Sequence, residues 1–529
     1  MRINRLYVKD YGNLRDFEFC PDLHAQTSVV LGRNGAGKSN LIEALVVIFR
    51  DLEAGDASDF CYELNYQIRE HDVQIINDPT GRPKQQIIIN GTKTTKEAFE
   101  KQEDKYLPKY VFAYYSGWNR RLEQLFDKPT SDLYRKWLKG GTSDTIPLRR
   151  LFFCRKNYSQ FALLAFFLLD FQPEIEGFLS RYLKIKDFES ALFVMHKPFW
   201  RSSGKPKQIE LEEGDSLFWH ARGAFQSFLD RLWRQSLAPI KSEESIPKDF
   251  RNRNEDSERF YLYVKNKEDL KNLRYPGESI ADFFSHIEGL FLSDLLEEIR
   301  VSVNHECGEI IRFEQLSEGE QQLLTVLGLL HIAKGEECLF LLDEPDTHLN
   351  PAWTYEYLQL LENQVVDKSS QLLIATHNPL MIGGLKREQV RLLNRHDRDG
   401  KHSISADVPD EDPIGMGVDG LLQSEIFGLK SVLPPSVVQR LTDRYKLLGI
   451  RNKTAEMAAD LERLTKELGE LGIAHSFPHP YFNQFSQALA RNPIMSKQDF
   501  SADDISDLEE LTDELLQGII DGKSGEADV

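Results

Sequence analysis

The pattern of apolar and polar positions predicts strands and one helix in the N-terminal part of the chain. Apolar residues alternate with polar ones over residues 3–8 and again over residues 60–91. Residues 27–31 and 110–115 are short apolar runs, as in buried strands. Residues 41–49 instead have the apolar spacing of a helix. Strands and a helix together indicate an α/β segment.

The spacing changes further along the chain. Residues 159–171 and 218–237 have helical spacing, and the loops between them are polar. Strand-like runs resume near residue 300 and then alternate with helices, and the C-terminal part is helical and polar. We therefore predict four parts: an α/β part at 1–120, a helical insertion at 121–299, a second α/β part at 300–407 and a helical extension at 408–529.

Composition narrows the class of protein. The 529 residues are 41% hydrophobic and 28% charged, which is typical of a large globular chain. The net charge of −19 argues against non-specific coating of nucleic acid, because phosphate contacts need concentrated Lys and Arg. The longest apolar run, residues 161–169, is too short to cross a membrane. Scattered cysteines predict reduced thiols in a cytoplasmic protein: Cys20, Cys61, Cys154, Cys307 and Cys338.

A glycine-rich loop follows the apolar run at residues 27–31. Its sequence, GRNGAGKS, fits the pattern G-x-x-x-x-G-K-[ST] of a phosphate-binding loop. Glycines let backbone N–H groups surround the phosphates, Lys38 adds positive charge, and the Ser39 hydroxyl reaches Mg²⁺. The predicted nucleotide-binding residues are Gly32, Arg33, Asn34, Gly35, Ala36, Gly37, Lys38, Ser39 and Asn40.

Acidic residues follow a second apolar run at residues 338–342. Asp343 at this strand end is placed to hold Mg²⁺ opposite Ser39, and Glu344 to act as the general base for water. His377 follows the next predicted strand and is placed to sense the γ-phosphate by hydrogen bonding. Two acids after a strand also occur in solvated turns, and a lone histidine is often structural. The order of these elements favours catalytic roles for Glu344 and His377.

A helix start precedes both motifs. Ser317 and Glu320 form the S-x-x-E pattern of a capping box, and Gly319 between them keeps the approach free of a side chain. A helix N-terminus of this kind attracts anions. The alternative is an ordinary capped helix.

Taken together, these motifs resemble the ABC ATPase heads of SMC and RecF-type proteins. The matching segments are residues 32–39, 316–320, 339–345, 346–351 and His377. The resemblance implies a P-loop head with a mixed sheet, with ATP and Mg²⁺ as cofactors, that pairs head to tail as a homodimer. Ser317, Gly319 and Glu320 would then act in trans, and Asp346 would lie at the dimer seam. The glutamine that this family carries in its Q-loop is not evident; residues 110–119 occupy the expected place.

Other stretches resemble the PtuA ATPases of Septu and retron antiphage defence systems. They are residues 114–117, 217–223, 343–351 and 420–429. The resemblance implies an antiviral ATPase that controls a separately encoded HNH nuclease, PtuB. A retron context would add a reverse transcriptase and its msDNA. Sustained heptads of a long coiled coil are absent from the sequence, which predicts a compact head.

Three rival functions depend on particular residues. An ATPase-nuclease of the overcoming-lysogenization type needs metal-binding acids, but Asp397-Arg398-Asp399 with Gly400 reads as a hairpin turn, so we predict no nuclease in this chain. An ABC transporter subunit would carry LSGGQ where this chain has LSEGE. A repair ATPase that binds DNA directly could use the basic pairs at 149–150 and 155–156.

The C-terminal part supplies a hypothesis for partner binding. Residues 503–522 predict an acidic helix with one apolar stripe, and residues 437–471 predict a helical hairpin. Either one is a candidate docking site for the nuclease.

Overall fold

The computed structural model describes most of the chain. It covers residues 1–117, 119–138, 148–169, 173–201, 208–247, 254–364, 370–398, 401–450 and 453–471. Two compact units are present, Met1–Phe427 and Gly428–Val529, and each is considered by itself.

The elements of both units follow one another in chain order. The strands are β1 Arg2–Tyr11, β2 Leu14–Phe19, β3 Thr27–Gly32, β4 Tyr62–Ile68, β5 His71–Asn77, β6 Gln85–Ile89, β7 Thr92–Thr94, β8 Tyr110–Tyr115, β9 Leu151–Phe153, β10 Ile185–His196, β11 Ile240–Pro247, β12 Asn254–Val264, β13 Leu296–His305, β14 Ile310–Arg312, β15 Cys338–Asp343, β16 Gln371–Ala375, β17 Val390–Arg398 and β18 Lys401–Asp407. The helices are α1 Lys38–Ala54, α2 Lys96–Glu100, α3 Glu103–Tyr106, α4 Arg121–Gln124, α5 Asp127–Leu138, α6 Tyr158–Phe167, α7 Pro173–Leu183, α8 Gln208–Glu213, α9 Ala224–Gln235, α10 Lys267–Lys271, α11 Ile280–Leu292, α12 Glu318–Ile332, α13 Pro351–Gln364, α14 Pro379–Ile382, α15 Gly417–Gln423, α16 Pro435–Gly449 and α17 Ala455–Glu470.

A seven-stranded mixed sheet forms the centre of the first unit, in the order β18-β17-β3-β16-β15-β8-β9. The strands from β17 to β9 are parallel neighbours, and β18 closes the edge in an antiparallel hairpin. Every residue of β15 is buried, as expected for a parallel strand covered on both faces. The carboxyl ends of β3, β15 and β16 meet at one edge of this sheet, which is where ligands bind in such folds.

Helix α1 packs between this sheet and a second, antiparallel sheet in the order β2-β1-β4-β5-β6-β7. One hydrophobic core joins Leu45 and Phe49 of the helix to Leu6 and Leu64 of the antiparallel sheet and to Leu341 of β15. The helix that follows the glycine-rich loop is therefore held on both sides. The predicted α/β fold with a mixed sheet is confirmed.

The prediction of a helical insertion at residues 121–299 needs correction. Helices α6, α9 and α11 lie in this range, but so do strands β10, β11 and β12. These strands join β13 and β14 in a five-stranded antiparallel sheet of order β11-β12-β10-β13-β14. Its β11–β12 hairpin contains KSEESIP, a charged segment without apolar alternation. Cross-strand backbone pairing from Ile240↔Tyr261 to Pro247↔Asn254 forms this hairpin, and such pairing leaves no apolar period in the sequence.

The second unit contains a helical hairpin. Helices α16 and α17 pack together around Val437, Leu441 and Leu468, as the sequence predicts for residues 437–471. The predicted acidic helix at 503–522 lies outside the described residues. In the part of the chain that the structure describes, no helix is both long and apolar enough to cross a membrane.

Candidate nucleotide-binding site

The glycine-rich loop joins β3 to α1. The φ angles of Gly35 and Gly37 are 80° and 99°, in the left-handed region that favours glycine. A Cβ on Gly37 would also lie 2.9 Å from Asn13 Oδ1. The strand–loop–helix context predicted for a phosphate-binding loop is therefore present.

Lys38 is folded back onto this loop. Its Nζ donates a hydrogen bond to the Gly32 carbonyl at 2.7 Å, and burial lowers the pKa of its ammonium group. The nearby carboxylates of Glu344 and Asp343 act in the opposite direction. The ammonium group thus sits at the mouth of the loop, within range of the acids at the end of β15.

Asp343 is the buried end of β15, with 2% of its surface exposed. Burial raises the pKa of its carboxyl to about 6, against the effect of a hydrogen bond with Ser39, and the adjacent Glu344 raises it further. Asp343 Oδ1 is buried and has no hydrogen-bond partner in the described part of the chain. A buried carboxylate oxygen beside a serine hydroxyl is the donor set that Mg²⁺ prefers, so these residues fit the predicted metal.

Glu344 and His377 lie together at the ends of neighbouring strands. Glu344 Oε1 is 3.1 Å from His377 Nδ1, and the backbone N–H of Glu344 donates to the Ala375 carbonyl at 2.8 Å. Glu344 has a φ of 51°, which is unusual for a residue with a side chain and often marks functional sites. The structure therefore brings together the two residues predicted to be catalytic.

Asp346 lies two residues further along, turned into its own chain. Thr376 Oγ1 donates a 2.9 Å hydrogen bond to Asp346 Oδ1, and burial raises the pKa of this carboxyl. The predicted place of Asp346 at a dimer seam stays a prediction.

Ser317 is exposed at the start of α12. Its hydroxyl accepts a hydrogen bond from the Glu320 N–H, and Glu320 Oε2 accepts from the Ser317 N–H and hydroxyl at 2.7 Å each. The capping box is thus present, and the serine faces outward. Gly319 is buried, and a Cβ there would lie 2.5 Å from the His348 carbonyl oxygen. The helix start is held against the segment that follows Asp346.

A chain of hydrogen bonds that sequence reasoning missed holds the loop from outside. Asn13 Nδ2 donates to the Gly35 carbonyl at 2.7 Å, and Asn40 Nδ2 donates to Asn13 Oδ1 at 2.6 Å. Arg121 Nη2 then donates to Asn40 Oδ1 at 2.9 Å and to Glu43 Oε2 at 2.5 Å. The sequence signal for this hydrogen-bond network is the position of Glu43, which lies one helical turn after Ser39.

Ser116 occupies the place where a Q-loop was expected. β8 pairs with β15 so that Tyr115 lies opposite Asp343, and Ser116 follows directly. Its Oγ is 2.9 Å from Thr347 Oγ1. The contact beside the acidic strand end is therefore made by a serine and not by a glutamine.

Several of the residues proposed for the rival functions have other roles. β17 and β18 pair up to Arg398↔Lys401, which confirms the hairpin; Asp399 and Gly400 lie outside the described residues.

Of the basic pairs, Arg149 is buried, and its Nη2 lies 2.7 Å from Glu288 Oε1. Arg150 is paired with Glu53, Glu103 and Asp104. Neither Arg149 nor Arg150 forms an open basic surface for DNA.

The protein families that match this chain are consistent with the nucleotide-binding site described above. A family model described as an AAA domain matches residues 5–274, which is 270 of the 529 residues. The chain belongs to this AAA-domain family. A second model, described as "AAA domain, putative AbiEii toxin, Type IV TA system", matches residues 183–383. Membership of the AAA-domain family supports ATP binding and hydrolysis as the general activity of this chain.

Two curated relatives confirm the resemblance to PtuA-type defence ATPases. The Septu protein PtuA of Bacillus mycoides (strain KBAB4) is 30% identical over 202 residues, which is 36% of this chain and 26% of that protein. The match therefore spans about a quarter of the length of that relative. The Retron Vc95 probable ATPase of Vibrio cholerae serotype O1 biovar El Tor is 21% identical over 430 residues, covering 75% of this chain and 74% of that one.

Solved structures of SMC heads are distant neighbours. The SMC head bound to the C-winged helix domain of ScpA has a TM-score of 0.34 and 14% identity, and covers 77% of this chain and 98% of that one. The SMC head domain from Thermotoga maritima has a TM-score of 0.32 and 12% identity, covering 77% and 99%. The strand order and the AAA-domain match establish the fold.

Proposed function

We propose that this AAA-domain protein binds and hydrolyses ATP as part of an antiviral defence system. One observation carries the ATPase proposal. The buried carboxylate of Asp343 contacts Ser39 beside the phosphate-binding loop, and its Oδ1 has no hydrogen-bond partner among the described residues. Family membership and the names of the two relatives support it from a separate direction.

In the proposed reaction, Lys38 leaves the Gly32 carbonyl and pairs with the β- and γ-phosphates of ATP. The N–H groups of residues 32–39 surround the phosphates. Mg²⁺, held by Ser39 and Asp343, would neutralise phosphate charge. Glu344 accepts a proton from the attacking water, and His377 keeps the Glu344 carboxylate aligned through the 3.1 Å contact.

Closure of the site would require a second copy of the chain. Ser317 is exposed at the start of α12, so an incoming phosphate can replace Glu320 Oε2 as the acceptor of its hydroxyl and meet the N-terminal field of the helix. We propose that Ser317, Gly319 and Glu320 of one copy meet the ATP held by another copy, in a head-to-tail dimer.

We further propose that ATP occupancy controls a separately encoded HNH nuclease. The support is the resemblance to Septu PtuA and to a retron ATPase. In a retron setting, a reverse transcriptase and its msDNA would join the complex. The α16–α17 hairpin and the acidic segment at 503–522 are the proposed docking elements; loss of nuclease binding on deletion from about residue 495 would assign docking to the segment.

The experiment is phage challenge combined with purification. Cells that carry this gene with its neighbouring genes are infected, and the wild type is compared with Lys38→Ala and with the matched surface variant Lys128→Ala. We expect protection to be lost only with Lys38→Ala, and an HNH protein to co-purify with the wild type. Unchanged protection in Lys38→Ala cells would contradict the proposal, and purification with duplex DNA and no nuclease would favour a repair ATPase.

A further inference from the structure

A second cleft opens beside helix α12, with a volume of about 640 Å³. Its walls are the segments after β8 and β9, the first two turns of α12, and His348. Among the described residues that line it, none belongs to the loop 32–39. Small-molecule sites typically enclose about 300–1,000 Å³, so this cleft is large enough for a ligand of nucleotide size.

The wall formed by α12 is polar although the helix is largely buried. Gln321, Gln322 and Thr325 line the cleft and are 9%, 5% and 3% exposed. Gln322 Nε2 donates to the Pro345 carbonyl, and its Oε1 is buried without a partner among the described residues. An unpaired buried amide oxygen destabilises the protein, and a hydrogen-bond donor of a ligand would remove this penalty.

The opposite wall is cationic. Arg120, Arg155 and Lys156 line it, and the acids that face them are Glu123 and Glu318. Glu123 is shared, with its oxygens 2.9 Å from Arg120 Nε and 3.4 Å from Arg155 Nε. Lys156 Nζ is 4.0 Å from Glu318 and its side chain is 72% exposed. Three cations against two carboxylates leave positive charge for an anionic group.

Aromatic residues complete the lining. Tyr115 and Phe291 both contribute to the cleft. A Cβ on Gly117 would collide with the Tyr115 ring, so the glycine lets this ring lie against the backbone. Aromatic rings of this kind stack on nucleobases.

We propose that this cleft binds a nucleoside phosphate, as a ligand site separate from the ATP site. Arg155 and Lys156 would hold the phosphate. Gln322 Oε1, which has no partner among the described residues, would accept a hydrogen bond from an amino group on the edge of the base, and Tyr115 would stack on the base. The ligand is either a free nucleotide or the phosphorylated end of a nucleic-acid strand. Ligand binding in this cleft would not require ATP hydrolysis.

Binding of a ligand in the cleft would affect the structure of the ATP site. Ser116 lines the cleft, and its N–H donates to the Asp343 carbonyl at 3.4 Å. His348, on the opposite side, touches the helix start at Gly319. A ligand between these walls therefore contacts both segments that border the nucleotide machinery.

The test uses the full-length Lys38→Ala variant, which removes the main phosphate contact of the ATP site. Equilibrium dialysis is performed with ATP, with AMP and with a 5′-phosphorylated thymidine hexanucleotide. We expect binding of at least one of these probes by the Lys38→Ala protein. Adding Lys156→Glu should weaken that binding by about tenfold or more, because a phosphate then meets a negative charge.

Two further variants keep the test decisive. Arg155→Gln should weaken binding in the same background, whereas Arg234→Gln, at an exposed arginine on α9 away from the cleft, should leave binding unchanged. Binding of ATP or AMP assigns a free nucleotide, and binding of the hexanucleotide alone assigns a strand end. The proposal is overturned if the Lys38→Ala protein binds none of the probes at about 1 mM, or if both cleft variants bind as well as their parent.

Discussion

Glu344 Oε1 and His377 Nδ1 lie 3.1 Å apart at the ends of two adjacent parallel strands. Each residue directly follows its strand or lies within two residues of its end, so the sheet itself fixes their separation. Glu344 adopts a φ of 51° in this arrangement. We infer that the strained backbone keeps the carboxylate directed at the site, where it can meet the attacking water.

Replacing Glu344 with Gln removes the base and keeps the shape. We expect ATP binding to persist and steady-state hydrolysis to fall by about 10²–10⁴-fold, the usual contribution of a general base. Binding is measured with a fluorescent ATP analogue and hydrolysis by phosphate release. Glu411→Gln, at an exposed position, is the matched control. Hydrolysis at the wild-type rate in Glu344→Gln would show that another group activates the water.

The raised pKa of Asp343 predicts how stability depends on pH in metal-free protein. Its folded pKa of about 6 lies above the ordinary 3.8, so the folded state binds more protons between these values. Stability should therefore fall as pH rises through this window and stay lower above pH 6, by about 2–3 kcal/mol. Asp343→Asn should remove this loss.

Thermal unfolding in EDTA across the pH range measures this effect. At pH 8 the Asp343→Asn variant should unfold at a higher temperature than the wild type, while its Mg²⁺-dependent ATP binding is lost. Equal melting temperatures of the two proteins at pH 8 would mean that burial of the carboxylate is compensated in the folded chain.

Gly319 is predicted to be intolerant of any side chain. Its missing Cβ would lie 2.5 Å from the His348 carbonyl, so Gly319→Ala must push α12 away from the segment after Asp346, at about 1–3 kcal/mol. We expect a lower melting temperature and reduced ATPase activity. Gly384→Ala, where a Cβ meets nothing within 4 Å, is the control. Full activity and stability in Gly319→Ala would disprove the close packing.

Arg121 should support the loop through its bonds to Asn40 and Glu43. Arg121→Gln leaves the Glu43 carboxylate, 9% exposed, without its cation, which destabilises the chain by about 1–3 kcal/mol. Release of Asn40 should also weaken ATP binding. Both are measured against Arg234→Gln, by denaturant unfolding and by titration with ATP. Unaltered affinity would show that the loop keeps its shape without this bridge.

The sequence predicts the parts of the site that are local. Residues 32–39 and the pair Asp343-Glu344 are contiguous, and their chemistry depends on a strand end that the apolar pattern reveals. Arg121 and Asn40 are 81 residues apart. They meet because α4 follows β8, which packs against α1. The charged β11–β12 hairpin was missed for a similar reason, since its backbone pairing leaves no apolar period.

We propose that each ATP site is completed by Ser317 of a second copy. Lys38→Ala and Ser317→Arg chains should each be nearly inactive alone. When the two are mixed, half of the dimers pair one of each, and these contain one intact composite site. The mixture should therefore recover about a quarter of the wild-type ATPase rate. A mixture that stays as inactive as its components, although mixed dimers are detected, would contradict the claim.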